Sequence, residues 1–147
     1  MVRVHGDLQP LDYPKLMPND TKELVYSILT LDQREQLLVT IWGLEADVNN
    51  GGFDQYYFNS YGDLAQHCPG ALRLIGANRT AELVELANAA FGAEGPPQNR
   101  EERQDRLDEI RDTATPIWDS LEQEFYGYPD DLSELLRLHL EGSRGAP

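Results

Sequence analysis

The chain has 147 residues, is 40% hydrophobic, and carries 26 acidic against 12 basic side chains, which gives a formal net charge of −14. The apolar share excludes a disordered chain, and the negative charge makes direct binding to nucleic acid or to an anionic membrane surface unfavourable. A basic protein surface is the partner that this charge favours, although acidity also serves solubility alone.

Three regions are predicted along the chain. Residues 1–19 are expected to form an extended arm, because prolines interrupt them and no helical period is present. Residues 20–141 form one predicted helical domain, and residues 142–147 a frayed tail. A single cysteine excludes an internal disulfide, and neither a bilayer-spanning apolar run nor a signal-peptide core is present, so we expect a soluble cytoplasmic protein.

Two helices are predicted before a glycine-rich segment. The first runs to about Leu29, and the second runs to about Asn49 after a capping box at residues 30–33. Apolar residues recur in the second helix at i, i+3, i+4 and i+7, which is typical of an amphipathic helix. Gly43 interrupts this pattern, and we expect a neighbouring side chain to pack closely against it.

A tight corner is predicted at Asn49-Asn50-Gly51-Gly52, where two glycines allow the backbone to turn sharply. Phe53, Tyr56 and Tyr57 follow at i, i+3 and i+4, which places their rings on one face of a short helix. We therefore expect a second helical segment that directs aromatic rings into the core.

Further helices are predicted downstream of this corner. Their expected starting points are Pro69 in a first turn, the caps Asn78 and Asn99, and the capping pair Asp130-Asp131. Pro116 is expected either to start a separate helix or to kink a continuing one. The apolar side chains assigned to the buried faces include Leu86, Ile117, Tyr126 and Leu138. No alternating strand pattern is present, so the sequence predicts an all-α protein, a single compact domain of about six to eight helices.

A family resemblance extends from the corner over most of residues 21–140. The segments that carry it are Leu44-Glu45, Asn49-Asn50-Gly51-Gly52-Phe53, Gln55-Tyr56, Asn59-Ser60, Ala71-Leu72, Ile75-Gly76-Ala77 and Ala87-Asn88-Ala89-Ala90-Phe91. Together they resemble the signature of a bacterial family of DNA-mimic proteins. The resemblance implies an acidic, all-helical, often dimeric domain that occupies the DNA-binding surface of a protein partner. The aromatic motif itself implies only the fold, because core aromatics cannot mimic phosphates.

The residues of the corner are interpreted as structural. Glu45 is expected to be buried and hydrogen-bonded to backbone N–H groups of the corner, and Gln55 to form hydrogen bonds in the core. The alternative for Glu45 and Asp54, which flank the corner, is a catalytic role. The residues assigned to the structural motif are Glu45, Asn50, Gly51, Gly52, Phe53, Gln55 and Tyr56.

No catalytic, metal-binding or cofactor-binding motif is recognisable. The histidines His5, His67 and His139 are far apart, and together with Cys68 they make no convincing zinc set. Phosphate-binding glycine loops and dinucleotide motifs are absent from the sequence. We therefore predict no cofactor, no metal and no enzymatic activity. The alternatives left open are a small carboxylate-based hydrolase with a site near residues 50–57, and an immunity- or inhibitor-type partner of a toxin.

Acidic residues in the last third of the chain form the predicted partner-binding surface. No lysine or arginine occurs between Arg111 and Arg137, so the acids there are expected to lack local partners. Other acids, by contrast, share their helix with four arginines and can pair with them at i, i+3 or i+4: Glu101, Glu102, Asp105, Asp108 and Glu109. The predicted surface consists of Asp112, Asp119, Glu122, Glu124, Asp130, Asp131 and Glu134.

These patterns lead to one functional expectation. Carboxylates three or four residues apart on a helix are about 5–6 Å apart at Cβ, which is comparable to the spacing of phosphates along a DNA strand. We expect an acidic DNA mimic that binds a basic DNA-binding protein such as a transcription factor and thereby regulates transcription. Direct binding to nucleic acid or membrane is not expected, and the resemblance favours a homodimer. A merely solvated acidic face is the alternative.

Overall fold

The computed structural model describes residues 32–145, with side chains through residue 142, and contains no strand in that range. The helices there are α1 (Gln33–Phe58), the 3₁₀ helix η1 (Ser60–Leu64), α2 (Cys68–Leu74), α3 (Asn78–Ala89), α4 (Arg100–Tyr126) and α5 (Leu132–Gly145). The predicted all-α class is confirmed, with five α-helices in the described range against about six to eight expected for the chain. The predicted arm at residues 1–19 and the helix ending near Leu29 lie outside the described residues.

The first half of α1 begins at a capping box and packs against η1. Asp32 accepts the Glu35 N–H at 2.9 Å, and the Glu35 carboxylate accepts the Asp32 N–H at 3.2 Å. The box predicted at residues 30–33 is therefore wrong by two positions, because the acidic pair supplies the same two reciprocal bonds later in the chain. Gly43 packs against the Tyr61 ring as expected, and a Cβ at this position would overlap that ring.

The predicted corner divides α1 at Gly51 and Gly52, whose backbones leave the helical region. Gly52 has φ 76° and ψ −173°, in the left-handed region of φ that favours glycine. A Cβ at Gly52 would also lie 2.7 Å from Cδ of Glu122. Only glycine fits at this position, and the chain after it, residues 53–58, enters the core.

Aromatic side chains from three helical regions meet in the core. Phe53 and Tyr57 are fully buried, as the spacing predicted. The Phe53 ring centroid lies 6.2 Å from that of Phe125, and the Tyr57 centroid lies 5.1 Å from Trp118 and 4.9 Å from Phe91. Such pairs contribute roughly 0.5–1.5 kcal/mol each beyond the burial of their area. The second half of α1 is thereby fixed between α3 and α4.

Helices α2 and α3 follow where they were predicted, but the cap of α3 differs. Pro69 occupies the first turn of α2. Asn78, the predicted cap, is the first residue inside α3, and no side chain at the N-cap position bonds the first turn. Asp130 supplies the cap from the connection before α5, where its carboxylate accepts the Thr80 N–H at 2.7 Å and the Thr80 hydroxyl at 2.9 Å. This cap also joins the α4–α5 connection to α3.

Helix α4 is continuous through Pro116, so of the two alternatives left open by the sequence, a separate helix or a continuing one, the continuing helix is observed. Asn99 caps it as predicted and accepts the Glu102 N–H at 2.9 Å. Near Pro116 the Thr115 hydroxyl donates to the Arg111 carbonyl at 2.7 Å. The buried stripe of α4 includes Arg103, Leu107, Ala114, Trp118 and Phe125.

Four apolar side chains assigned to buried faces are exposed instead: Leu86, Ile117, Tyr126 and Leu138. Ile117 and Tyr126 each adjoin a buried residue of α4, and one step along a helix turns a side chain by about 100°. In α5 the buried positions are Leu132, Leu136 and Leu140. Helix α5 runs to Gly145, past the predicted end of the domain at residue 141.

A fully buried guanidinium holds the turn between α1 and η1. Arg103 is 0% exposed. It donates to the carbonyls of Tyr57 at 2.6 Å, Asn59 at 2.9 Å, Pro97 and Gln98 at 3.1 Å, and to Oδ1 of Asp63 at 2.7 Å. All five donors of the guanidinium are thereby used. Burial lowers the pKa of Arg103, and the ion pair with Asp63 opposes this shift.

Candidate protein-binding surface on helix α4

Helix α4 carries an acidic stripe on the side opposite its buried one. Spacings of four, three, four and seven residues place five acids on one face: Glu101, Asp105, Asp108, Asp112 and Asp119. We call this row the acidic ridge. All five residues are exposed. At a rise of about 1.5 Å per residue, the ridge extends over roughly 27 Å.

The charge of the ridge is largely unpaired. Asp108 accepts a hydrogen bond from Nη1 of Arg111 at 2.8 Å. The other four ridge carboxylates make no ion pair and no side-chain hydrogen bond within residues 32–142. The ridge therefore presents its negative charge to solvent, where it is available to a basic partner.

The arginines expected to neutralise the start of α4 point mainly elsewhere. Arg103 lies in the core, Arg100 donates to Asp63 at 3.2 Å, and Arg106 donates to the Phe91 carbonyl at 2.6 Å. Local pairing on α4 is therefore wrong for Arg103, whose five hydrogen bonds all go to other segments or to the turn before the helix. The signal was present in the sequence, because position 103 has the helical phase of the buried stripe rather than that of the acids.

The predicted surface and the ridge overlap at Asp112 and Asp119. The ridge adds Glu101, Asp105 and Asp108, which were set aside because arginines lie near them in the sequence. Periodicity along α4 would have found them, since all five acids fall on one face. Counting nearby opposite charges could not, because it ignores the direction of each side chain.

Two acids of the predicted surface are neutralised by arginines. Glu124 pairs with Arg79 of α3, and Glu134 pairs with Arg137 one turn along α5. Their hydrogen bonds to these guanidinium groups lower the pKa of both carboxyls. The expectation that acids between residues 112 and 134 lack local partners is wrong for Glu134, whereas the partner of Glu124 comes from another helix.

Two other acids of the predicted surface cap helices. Asp130 caps α3 through Thr80, as described above. Asp131 caps α5, as predicted, and accepts the Glu134 N–H at 3.2 Å. Their oxygens are therefore used in holding the fold together.

Glu122 connects the acidic side of α4 to the glycine corner. Its Oε2 accepts the Phe53 N–H at 2.8 Å, at the start of the second half of α1. Burial raises the pKa of Glu122, this hydrogen bond lowers it, and the negative charges of Asp119 and Asp54 raise it further. The corner N–H assigned to Glu45 from the sequence is thus bound by a carboxylate 69 residues away in sequence.

Glu45 is buried, as predicted, and it accepts a hydrogen bond from a tyrosine just beyond the end of α4. The Tyr128 hydroxyl donates to Oε2 of Glu45 at 3.0 Å and accepts from Nδ2 of Asn49 at 2.8 Å. The Tyr126 hydroxyl donates to the Val48 carbonyl at 3.2 Å. Two tyrosines therefore hold the end of the first half of α1, where a helix leaves carbonyl groups unpaired.

An amide network links the two sides of the corner. Asn50 donates to Gln55 at 3.0 Å, Gln55 donates to Oδ1 of Asp47 at 2.9 Å, and Asn59 donates to the same oxygen at 3.2 Å. The hydrogen-bonding role predicted for Gln55 is confirmed. Asp47, which no sequence pattern indicated, is only 6% exposed, and burial raises its pKa against the lowering effect of the two amides. Its Oδ2 accepts no hydrogen bond.

The described residues do not assemble a reactive centre of the kinds considered. Of the two candidate catalytic acids, Glu45 is bound by Tyr128 and Asp54 pairs with Arg111 at 2.7 Å. Burial raises the pKa of Cys68 to about 12, so its thiolate is scarce at neutral pH. Residues 32–145 hold no group of three or more potential ligands that could bind a metal, and none of their helices is both long and apolar enough to cross a membrane.

Fold and surface together define a compact all-α domain with an exposed acidic row on its longest helix. A family model described as DMP19-like protein matches residues 29–142. The chain belongs to the DMP19-like protein family, and this match is consistent with the predicted DNA-mimic family. Comparison with curated proteins and with solved structures gives no match.

Proposed function

We propose that this protein is a DNA mimic that occupies the DNA-binding surface of a basic DNA-binding protein, in the first instance a transcription regulator in the cytoplasm. Family membership supports mimicry in general. The observation that carries the proposal is the acidic ridge, a row of five exposed carboxylates on one face of α4.

The dimensions of the ridge suit a surface that reads duplex DNA. Neighbouring acids three or four residues apart are separated by about 4.5–6 Å along the helix axis. The ridge as a whole covers the axial length of roughly eight base pairs at about 3.4 Å each. A protein surface whose cations follow a DNA backbone therefore meets several carboxylates at once.

The ridge is also held rigidly. The opposite face of α4 is anchored by Trp118, by Phe125 and by the five hydrogen bonds of Arg103. A partner therefore meets charges that are already positioned, and binding avoids the ordering cost of a flexible acidic tail.

We further propose that the protein is a homodimer whose interface includes Ile117, an exposed apolar residue of α4. Ile117 lies two positions before Asp119, about 200° around the helix, so this interface leaves the ridge accessible. Apolar contact is needed there, because like net charges oppose the approach of two copies. Light scattering at physiological salt that gives a monomer mass at micromolar concentration would exclude it.

The function is tested by capture of partners from native lysate with three baits. The ridge variant combines Glu101→Gln, Asp105→Asn, Asp112→Asn and Asp119→Asn. A matched control makes the same change in net charge at four acids that are paired with arginines, Glu82→Gln, Glu85→Gln, Glu124→Gln and Glu134→Gln. We expect the wild type and the control to capture a DNA-binding protein, and the ridge variant to capture it weakly while retaining its helicity.

A captured partner is then tested for competition with labelled duplex DNA. DNA and this protein should exclude each other, and binding should weaken as salt rises, because screening acts over a Debye length of about 8 Å. The loss should be less steep than for DNA, which releases condensed counterions. A partner that binds both at once, or equal capture by the ridge variant, refutes mimicry. A partner that does not bind DNA supports the immunity or inhibitor alternative.

A further inference from the structure

The face of α4 that carries the ridge ends in a tyrosine. Asp119, Glu122 and Tyr126 follow at i, i+3 and i+7, so they share one side of the helix. Tyr126 is 42% exposed, and Tyr128, just beyond the helix, is 38% exposed. Mimicry of phosphates accounts for the carboxylates on this face, but it gives no role to the two rings.

Both rings are held in place by the fold. Each packs against Phe125, with centroid distances of 6.4 Å for Tyr126 and 6.0 Å for Tyr128. Their hydroxyls bond the Val48 carbonyl and the Glu45 carboxylate. A large, partly exposed ring that is already fixed loses little conformational entropy on binding, and tyrosines of this kind are enriched at energetically important positions of interfaces.

Negative charge lies beside the Tyr126 ring. Burial raises the pKa of Tyr126, and the charges of Glu122 and Asp119 raise it further. A cation is therefore attracted to this ring both by its π face and by the neighbouring carboxylates. The exposed amide of Asn49 donates to the Tyr128 hydroxyl at 2.8 Å.

We propose that Tyr126, Tyr128 and Asp119 form an arginine-selective contact within the partner-binding surface. A guanidinium group is planar and weakly hydrated, so it stacks on an aromatic ring while its N–H groups bond a carboxylate, whereas the compact and strongly hydrated lysine ammonium does so less well. The proposal rests on the proposed function for the partner and adds what the ridge alone does not supply, a preference between two kinds of cation.

The test compares two peptide probes of equal length and charge, fluorescein-labelled octa-arginine and octa-lysine, by fluorescence anisotropy at one salt concentration. The wild type should bind octa-arginine roughly two- to fivefold more tightly per engaged ring. Tyr126→Leu should reduce this ratio, whereas Tyr126→Phe, which keeps the ring and loses only the hydroxyl, should preserve it. Asp105→Asn, at the far end of the ridge, should weaken both peptides by a similar factor.

A wild-type ratio near one, or an unchanged ratio in Tyr126→Leu, overturns the proposal. If Tyr126→Leu loses its helical circular dichroism, the variant is unfolded and cannot report on selectivity. Nuclear magnetic resonance of the wild type then tests the preference for arginine. The ring signals of Tyr126 and Tyr128 should then shift more with octa-arginine than with octa-lysine, and equal shifts refute the selectivity. Loss of the selectivity leaves mimicry intact, since mimicry is judged separately by competition with DNA.

Discussion

Replacement of the buried Arg103 by methionine should be among the most destabilising single changes in this protein. The variant leaves Oδ1 of Asp63 and four main-chain carbonyls without the donors of Arg103, while Arg100 still donates to Oδ2 of Asp63. Each buried polar group left unsatisfied costs about 1–3 kcal/mol, but neighbouring groups relax together. Breaking a buried ion pair by removing one partner costs about 3–5 kcal/mol as a whole. We expect Arg103→Met to lose at least that much of a total that is roughly 7–20 kcal/mol for a domain of this length.

Urea denaturation followed by far-ultraviolet circular dichroism measures the loss. Arg103→Lys should fall between the methionine variant and the wild type, because an ammonium has three donors and a guanidinium five. Adding Asp63→Asn to Arg103→Met should recover part of the stability, since it removes a buried charge that only Arg100, at 3.2 Å, then compensates. The control Arg73→Met breaks an exposed pair with Glu85 and should leave the midpoint nearly unchanged. A loss below about 1 kcal/mol for Arg103→Met, the size of one ordinary hydrogen bond, would refute the role assigned to the guanidinium.

Three further changes test the corner and its surroundings. Phe53→Ala should cost about 3–5 kcal/mol in urea melts, and a loss under about 1 kcal/mol would mean that the ring is not part of the core. Gly52→Ala should cost about 1–3 kcal/mol through its positive φ and its contact with Glu122, whereas Gly70→Ala, in a helix and with open space around it, should be neutral or stabilising. Burial raises the pKa of Asp47 above its ordinary value of 3.8, so ionisation of Asp47 opposes folding. This cost in stability is absent below pH 3.8, where the carboxyl is protonated in both the folded and the unfolded state. It grows as the pH rises from 3.8 through the pKa of the folded state and is complete above that pKa. Asp47→Asn should therefore be more stable than the wild type at neutral pH, with the difference vanishing in acid, and a destabilised variant at neutral pH would contradict this sign.

Local signals in the sequence predicted the corner correctly. Two glycines and three aromatic residues at helical spacing lie within seven positions, so no distant contact is needed to recognise a turn followed by a buried helical segment. The capping of α4 by Asn99 was predictable for the same reason, because the cap and the N–H that it binds are three residues apart.

Tertiary contacts decided what the sequence left open. The carboxylate that binds the corner is Glu122, 69 positions from Phe53, and the cap of α3 is Asp130, 50 positions from Thr80. No local pattern distinguishes these acids from solvated ones. The local pairing on α4 was mispredicted for a related reason, since Arg103 looks like a neutralising neighbour in the sequence but turns into the core.

The proline inside α4 has a consequence for the proposed partner-binding surface. Pro116 lies in the longest interval of the ridge, between Asp112 and Asp119, and it has no N–H to donate to the Asp112 carbonyl one turn before it. That carbonyl oxygen therefore lacks its usual helical donor at the point where the ridge has no acidic side chain. A main-chain carbonyl does not titrate as a carboxylate does, so its partial negative charge does not change with pH. Substitution of the side chain at position 112 leaves this carbonyl in place. The proposed imitation of a polyanion would thus use an acceptor from the main chain as well as those of the acids.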